Sequence, residues 1–409
     1  MEYFPLIVTE QDRMIVQMIR QFVEREIMPV RDKLDDDTNH VLINGILKKL
    51  SDLGVFRVQA RDENAEESGP STSLVTSCVV LEEMSRGDAG IGIVAAVNGW
   101  ALAPASAAKN KEVLKLFESM ANANEGPTLA CFAMTEPAGG CDIENLPLHH
   151  GRTIKTRAVL DGDQWVINGA KRFPSSAGVA SLYCVVCQTA PEKGEKGVAL
   201  IYVPRDAKGL SFGKFEVKAG MQSDRNADIY FDDVRVPKSY RAAGPRMDAA
   251  FLKSNLAVGR VASAAAAVGC ARGAFEEVLK YTGDRVAGGK PIRDHSIAAA
   301  MLAEMATGIE TARAHYLQVA YMFSHPDKFG PPYSDASLCH ASISKNYATE
   351  MAITVTNRAM ELMGSYGYIR DYHVEKYWRD VKEIQLWLGG AQLGRFDIAR
   401  GYYPYQMTS

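Results

Sequence analysis

Nowhere in the chain do lysine and arginine gather into a basic run, and 46 basic residues stand against 49 acidic ones for a net charge of −3. That balance excludes the electrostatic footprint of a nucleic-acid binder. No apolar run reaches the roughly 20 residues needed to span a bilayer, so no membrane insertion is expected. The opening stretch MEYFPLIVTEQDRM lacks a basic n-region and meets acidic residues early, which argues against a secretory signal. Cysteine is sparse: seven residues, odd in number and scattered, suit reduced thiols and predict a cytoplasmic protein. Cys184 and Cys187 form a lone CxxC inside SLYCVVCQT, which reads as a strand. Residues three apart on a strand face opposite sides, so two packed thiols are expected there rather than a metal or redox site. Internal repeats and low-complexity linkers are also missing, so the parts of the chain should pack together.

What is present is an ordinary globular composition, 47% hydrophobic and 23% charged over 409 residues, enough for two or three units and a large core. Residues 1–125 read as helical. Thr9 and Asp12 form a capping-box pattern, followed by Ile15, Met18, Ile19 and Phe22 at helical spacing. Pro29 ends or interrupts that helix. The apolar stretch from Thr72 to Ala108 suits a buried helix broken around Gly87–Gly92. Between residues 126 and 242 the period changes to that of strands. Asn168-Gly169 lies between short alternating runs and predicts a hairpin turn, and SLYCVVCQT, GVALIYVP and ADIYFDDVRVP are further strands of an antiparallel β unit. From 243 to 409 the pattern is helical again, with long stretches suited to a bundle.

The motifs make this order specific. CFAMTEPAGGCD (131–142) followed by GDQWVINGAKRFPSSAG (162–178) resembles the flavin-facing signature of the acyl-CoA dehydrogenase family. MQSDRNADIYFDDVRVP resembles the strand pair that closes that domain, and ELMGSYGYIRDYHVEKYWRDVKEIQLWLGGAQLGRFDIAR resembles the family's C-terminal signature. The resemblance implies a mostly α fold: an N-terminal helical domain, a central antiparallel β barrel and a C-terminal four-helix bundle. It implies FAD as cofactor, a CoA thioester as substrate, an electron-transfer flavoprotein or similar redox partner, and a homotetramer or a hetero-oligomer.

By the same resemblance, Met134, Thr135, Ser175 and Ser176 would hold the flavin ring, with Phe173 touching it and Trp165 packing the β domain. Arg285 would reach the FAD pyrophosphate across a dimer interface, where a guanidinium suits phosphate geometry. Ser296, Glu361, Ser365, Gly390, Gln392 and Cys141 fall at cofactor-contact positions too. Several of them depart from the family's residue, Glu361 replacing a Gln and Gly390 a hydroxyl residue. Arg260 and Asp142 would border the CoA side. Gly92 stands where glutaryl-type members carry an arginine, which argues against a dicarboxylic substrate. The glycines of GIGIVAAVNGWAL would leave room in the pocket floor for a broad or cyclic acyl group.

The departure with the largest consequence lies in WLGGAQ. Removing the proton next to a thioester carbonyl needs a carboxylate in a dry site. The family places a Glu either at the position of Leu388, before Gly389, or at that of Gly259 on the bundle helix, and neither position holds one here. The Leu388 backbone N–H could still bond the thioester carbonyl. Three readings remain open. The first is an unusual elimination served by a repositioned acid such as Asp88. The second is a base-less subunit paired with a related chain, and the third is an offshoot using reduced flavin for oxygen chemistry.

Overall fold

Thr9 opens the first helix as its spacing predicts. Its hydroxyl accepts from the Asp12 N–H at 3.2 Å while Asp12 Oδ2 accepts from the Thr9 N–H at 2.8 Å, a reciprocal cap. The computed structural model describes residues 7–56, 73–124 and 126–403, and the side chains of residues 141, 142 and 148 fall outside that description. Helices α1 (Glu10–Phe22), α2 (Val41–Asp52), α3 (Leu74–Gly87), α4 (Ala89–Ala107) and α5 (Lys111–Ala123) form the first part. The long apolar stretch breaks at Asp88, whose carboxylate caps α4 by accepting from the Ile91 N–H at 2.9 Å. Contrary to the expectation, α4 is long and apolar enough to cross a membrane, with a mean hydropathy of 1.3. Yet 67% of its apolar span is buried inside the protein, as in a core helix.

The middle part holds β1 (Ala130–Ala133), the short helices α6 (Cys141–Glu144) and α7 (Leu146–His149), β2 (Arg157–Asp161), β3 (Gln164–Lys171), β4 (Leu182–Gln188), β5 (Val198–Pro204), β6 (Leu210–Phe215) and β7 (Ala227–Pro237). They form one sheet in the order β1-β4-β2-β3-β7-β6, with β5 paired to β4. The expected fold class holds, a mostly helical chain with a central curled β sheet, and the strand pairing differs from the expected antiparallel barrel in detail. β1 and β2 both run parallel to β4, and the sheet path ends on β1 and β6. Residues 134–156, carrying α6 and α7, make a connection long enough to bring β2 back in the same direction as β1.

The predicted Asn168-Gly169 turn is also corrected. The hairpin turns at Gly162-Asp163, pairing Asp161 with Gln164, and Asn168-Gly169 lies inside β3 at a register shift against β7. Gly169 has φ +143°, and a methyl on it would lie 2.8 Å from the Thr156 Cα, so the glycine serves a bulge and a close approach. Cys184 and Cys187 are buried free thiols on β4 that face different apolar clusters, as strand alternation predicts.

The C-terminal part is built on α8 (Met247–Asp284), followed by the two-residue strands β8 (Val286–Ala287) and β9 (Lys290–Pro291), then α9 (Ser296–Ser324), α10 (Pro326–Phe329), α11 (Asp335–Met363), α12 (Val374–Leu386) and α13 (Gly390–Tyr402). The run of small residues on α8 is buried from Ala264 to Ala267 and lets α3, α9 and α11 approach it closely. A methyl on Gly269 would collide with the Glu82 carbonyl of α3. This places the far end of α8, around Gly259, against α4 and the loop between α12 and α13.

Candidate active site

A cleft of about 1140 Å³ opens between the β sheet, α4 and the bundle. Its sheet side is fixed by a buried ion pair. Lys171 Nζ bonds Glu136 Oε1 at 2.9 Å and the Met134 carbonyl at 3.0 Å, and the Glu136 carboxylate accepts from the N–H groups of Lys155 and Thr156. Burial pushes the Glu136 carboxyl up, but Lys171 and these donors outweigh it and hold it below the usual range. The pair holds Met134 and Thr135 at the end of β1, and both line the cleft.

Across from them, Phe173 sits in left-handed backbone (φ +61°) with its ring 55% exposed, and its carbonyl accepts from Asn226 Nδ2 at 2.8 Å. Ser175 also faces the cleft, and its hydroxyl donates to Asp224 Oδ2 at 2.7 Å. Ser176 does not: its hydroxyl is buried without a partner among the described residues, outside the lining. Trp165 is buried, and its indole N–H donates to the Lys238 carbonyl at 3.2 Å, so it packs the sheet.

The bundle side brings together Leu388 and Gly259, the two positions at which the resemblance would place a base. Leu388 is buried at 8% exposure with φ +50°, and a methyl on Gly259 would lie 3.0 Å from Leu388 Cδ1 and 3.2 Å from the Trp100 ring. Trp100 is locked to α8 by reciprocal bonds, its indole N–H to the Asn255 carbonyl at 2.7 Å and Asn255 Nδ2 to its own carbonyl at 3.0 Å. Trp387 is held by its indole N–H on Ser263 Oγ at 2.8 Å. The Leu388 N–H donates to no described residue, so it is free to bond a ligand carbonyl.

The wall from α4 bears out part of another expectation, for Gly92 and Gly99 both line the cleft, and narrows the rest. A methyl on Gly92 would lie 2.9 Å from Ser85 Oγ, and one on Gly90 would strike Ser223, so these glycines serve contact with α3 and the 220s loop. The room comes from Gly99, which has open space beside it, and from Ala95 and Ala96.

Other expected site residues lie elsewhere. Asp88 is fully buried away from the cleft lining, capping α4, accepting from Ser223 and paired with Lys376 at 3.0 Å. Burial pushes its carboxyl up, but Lys376 and Ser223 hold it below the usual range, so Asp88 is structural and is withdrawn as a candidate base. Arg260 is buried behind the lining, bonded to Ser342 at 3.0 Å and to Asp397. Arg285, Ser296, Glu361, Ser365 and Gln392 are exposed and outside the cleft, with Glu361 accepting from Asn357 at 2.8 Å. Gly389 lines the cleft, while Gly390 starts α13 beside it. The Cys141 and Asp142 side chains lie outside the described residues.

Among the charged groups at or behind the lining that the motifs did not single out are Glu144, Asp224, Lys345 and Glu383. No spacing rule finds them, because each is placed by contacts between distant segments. Glu383 on α12 pairs with Lys218 at 3.1 Å, and burial pushes its carboxyl up to about 7 although Lys218 pulls the other way. A raised folded value means stability that is fully present below 4.5 and lost as pH rises through about 7. With a quarter of its side chain exposed, Glu383→Gln is expected to gain about 1–2 kcal/mol at pH 8 and almost nothing at pH 4. Melting curves of both proteins across this range check it, and parallel profiles would refute it.

Comparison with known proteins places the chain among relatives of one kind. Residues 9–115, 131–234 and 249–403 match the family models for the N-terminal, middle and C-terminal domains of acyl-CoA dehydrogenase. A cyclohexane-1-carbonyl-CoA dehydrogenase of Syntrophus aciditrophicus (strain SB) is 30% identical over 394 residues, covering 96% of each chain. A cyclohex-1-ene-1-carbonyl-CoA dehydrogenase of the same organism is 31% identical, covering 96% of this chain and 90% of its own. Among solved structures, butyryl-CoA dehydrogenase from Megasphaera elsdenii superposes with a TM-score of 0.83 at 24% identity, over 98% and 99% of the two chains, and shares the fold.

Proposed function

The chain belongs to the acyl-CoA dehydrogenase family, FAD-dependent oxidoreductases acting on CH–CH bonds of acyl-CoA, and on that premise we propose that it dehydrogenates a bulky or cyclic acyl-CoA by a non-standard proton transfer. The observation that carries this reading is the cleft beside Leu388: roomy, apolar, floored by Ala95, Ala96 and Gly99, and without a carboxylate at either usual position. The cyclic acyl groups named for two relatives agree with that shape.

The residues present fit a flavin. Thr135 and Ser175 present hydroxyls, Phe173 an open ring face, and the buried Asp224 Oδ1 lacks a donor among the described residues. An isoalloxazine carries a ring N–H that would supply one. FAD, when bound, provides the hydride acceptor. The chain's own part is to bind and orient: the free Leu388 N–H polarises the thioester carbonyl, and Trp100, Phe132 and Leu388 exclude water. The exposed positions of Arg285, Ser296, Glu361, Ser365 and Gln392 suit contact with the cofactor of a neighbouring subunit in a homotetramer, with an electron-transfer flavoprotein as the electron acceptor.

Anaerobic mixing with cyclohexane-1-carbonyl-CoA is expected to bleach the flavin absorbance, and faster than butyryl-CoA does. The carboxylate of Glu383 at the flavin side favours a second reading in which the chain is the weak-flavin subunit of a hetero-oligomer. No bleaching by any thioester, with a related chain co-purifying, would decide for that.

A further inference from the structure

Beside Leu388 lies a carboxylate that none of the motifs marks. Glu144, the last residue of α6, is 7% exposed and lines the cleft. A methyl on Gly389 would lie 3.0 Å from Glu144 Oε2, so the carboxylate abuts the residue next to Leu388. Among the described residues it accepts no hydrogen bond, although it is almost wholly buried.

The charged groups facing it come from three helices. Arg260 of α8 is 1% exposed, and its Nε and Nη2 have no hydrogen-bond partner among the described residues. Lys345 of α11 is 1% exposed and points its Nζ at the carbonyls of Gln385, Trp387 and Gly390, which fixes the loop that carries Leu388. Asp397 of α13 neutralises Arg260 from behind and also pairs with Arg400. Two cations thus lie near Glu144 without consuming it in a direct ion pair.

We propose that Glu144 is the catalytic proton acceptor of this site, taking the proton from the carbon next to the thioester carbonyl in place of the bases absent at 388 and 259. The inference rests on the CoA-thioester reading above. In the step the Cα–H bond breaks, its electron pair stays with the substrate as the thioester enolate, and the proton forms an O–H bond on Glu144. The enolate oxygen is bonded by the Leu388 N–H.

The electrostatics match that role. Burial pushes the Glu144 carboxyl up to about 7, against the pull of Arg260 and Lys345. Burial likewise lowers the Lys345 ammonium to about 7, helped by Arg260 and opposed by Glu144. A base whose pKa lies near neutrality is matched to proton abstraction at physiological pH. Because the two groups interact, the observed titration belongs to the pair.

Phenylacetyl-CoA separates this step from the redox chemistry, since its acidic α-protons have no removable β-hydride beside them. The holoenzyme in D₂O is expected to exchange those protons, read by mass spectrometry, with a rate rising through about pH 7. Glu144→Gln should bind the probe by calorimetry but exchange about 10²–10⁴-fold more slowly. Glu144→Asp keeps the charge one methylene back, so it serves as the folded control and should lose at least about tenfold. Normal exchange in both variants, or no exchange by wild-type protein that binds the probe, would overturn the assignment of Glu144. Failure of wild-type protein to bind either phenylacetyl-CoA or cyclohexane-1-carbonyl-CoA would instead overturn the thioester reading beneath it.

Discussion

A chain carrying both Glu144→Gln and Leu388→Glu is expected to desaturate a saturated acyl-CoA about 10²–10⁴-fold faster than Glu144→Gln alone, the usual contribution of a positioned general base. Leu388 is the right place because its side chain lies against Gly259 and Trp100 in the cleft, on a loop held by Lys345 and Trp387. Glutamate and leucine are similar in size, so the change needs little repacking. The surroundings of Leu388 are 8% exposed and apolar, so a carboxyl there would also be raised toward neutrality. Leu388→Glu alone is expected to gain less. With Glu144 intact, two carboxyls would crowd Gly389, and like charges so close share a proton instead of both ionising. Stopped-flow bleaching of bound flavin by butyryl-CoA measures all three proteins. A double variant that binds FAD and thioester yet stays as slow as Glu144→Gln would show that the loop does not face the α-carbon.

Much of the fold was legible because its signals are local. Thr9 and Asp12 cap a helix wherever they sit, Asp88 breaks an apolar run by its own side chain, and strand alternation separates Cys184 from Cys187. Asn168-Gly169 misled for the opposite reason. Its glycine is demanded by Thr156 of a neighbouring segment, and the turn itself uses Gly162. The parallel pairing of β1 with β4 likewise depends on a long excursion through α6 and α7, which periodicity does not report.

The site divides along the same line. That Leu388 and Gly259 carry no carboxylate could be read directly from the sequence, and the structure brings those two positions together. What fills the gap could not be read. Glu144 meets Gly389 and approaches Arg260 and Lys345, partners more than a hundred residues away, and so only the folded chain reveals it. Arg285, Ser296 and Glu361 are a third case. The resemblance places them at cofactor contacts, Arg285 across a dimer interface, and in the single chain all three are exposed.

Glu82→Gln is expected to lower stability by about 3–5 kcal/mol at pH 7, the usual penalty for removing one partner of a buried ionic network. Glu82 is 0% exposed on α3. It accepts from Arg272 Nη1 at 2.7 Å, from Arg313 Nη2 at 2.7 Å and from the Tyr316 hydroxyl. Burial pushes its carboxyl up, but Arg313 and Arg272 outweigh that and hold it below the usual range. Neutralising it leaves the largely buried Arg272 and Arg313 side chains with one countercharge fewer between them. A depressed folded value gives stability present above 4.5 and lost as pH falls through the lower folded value. The gap between wild type and Glu82→Gln should therefore narrow on acidification below that point. Glu304→Gln supplies the contrast: its pair with Arg358 is exposed, and its loss should change stability by under about 1 kcal/mol. Thermal melts at pH 7 and pH 4 read both variants, and equal losses for Glu82→Gln and Glu304→Gln would sink the argument. The effect should reach the cleft as well. Glu82 ties α3 to α8 and α9, and α8 carries Gly259 and Arg260 to their places beside Leu388 and Glu144. A destabilised Glu82→Gln protein that still folds should bind acyl-CoA more weakly while the pH midpoint of its α-proton exchange stays near 7, because the groups that set that midpoint are untouched.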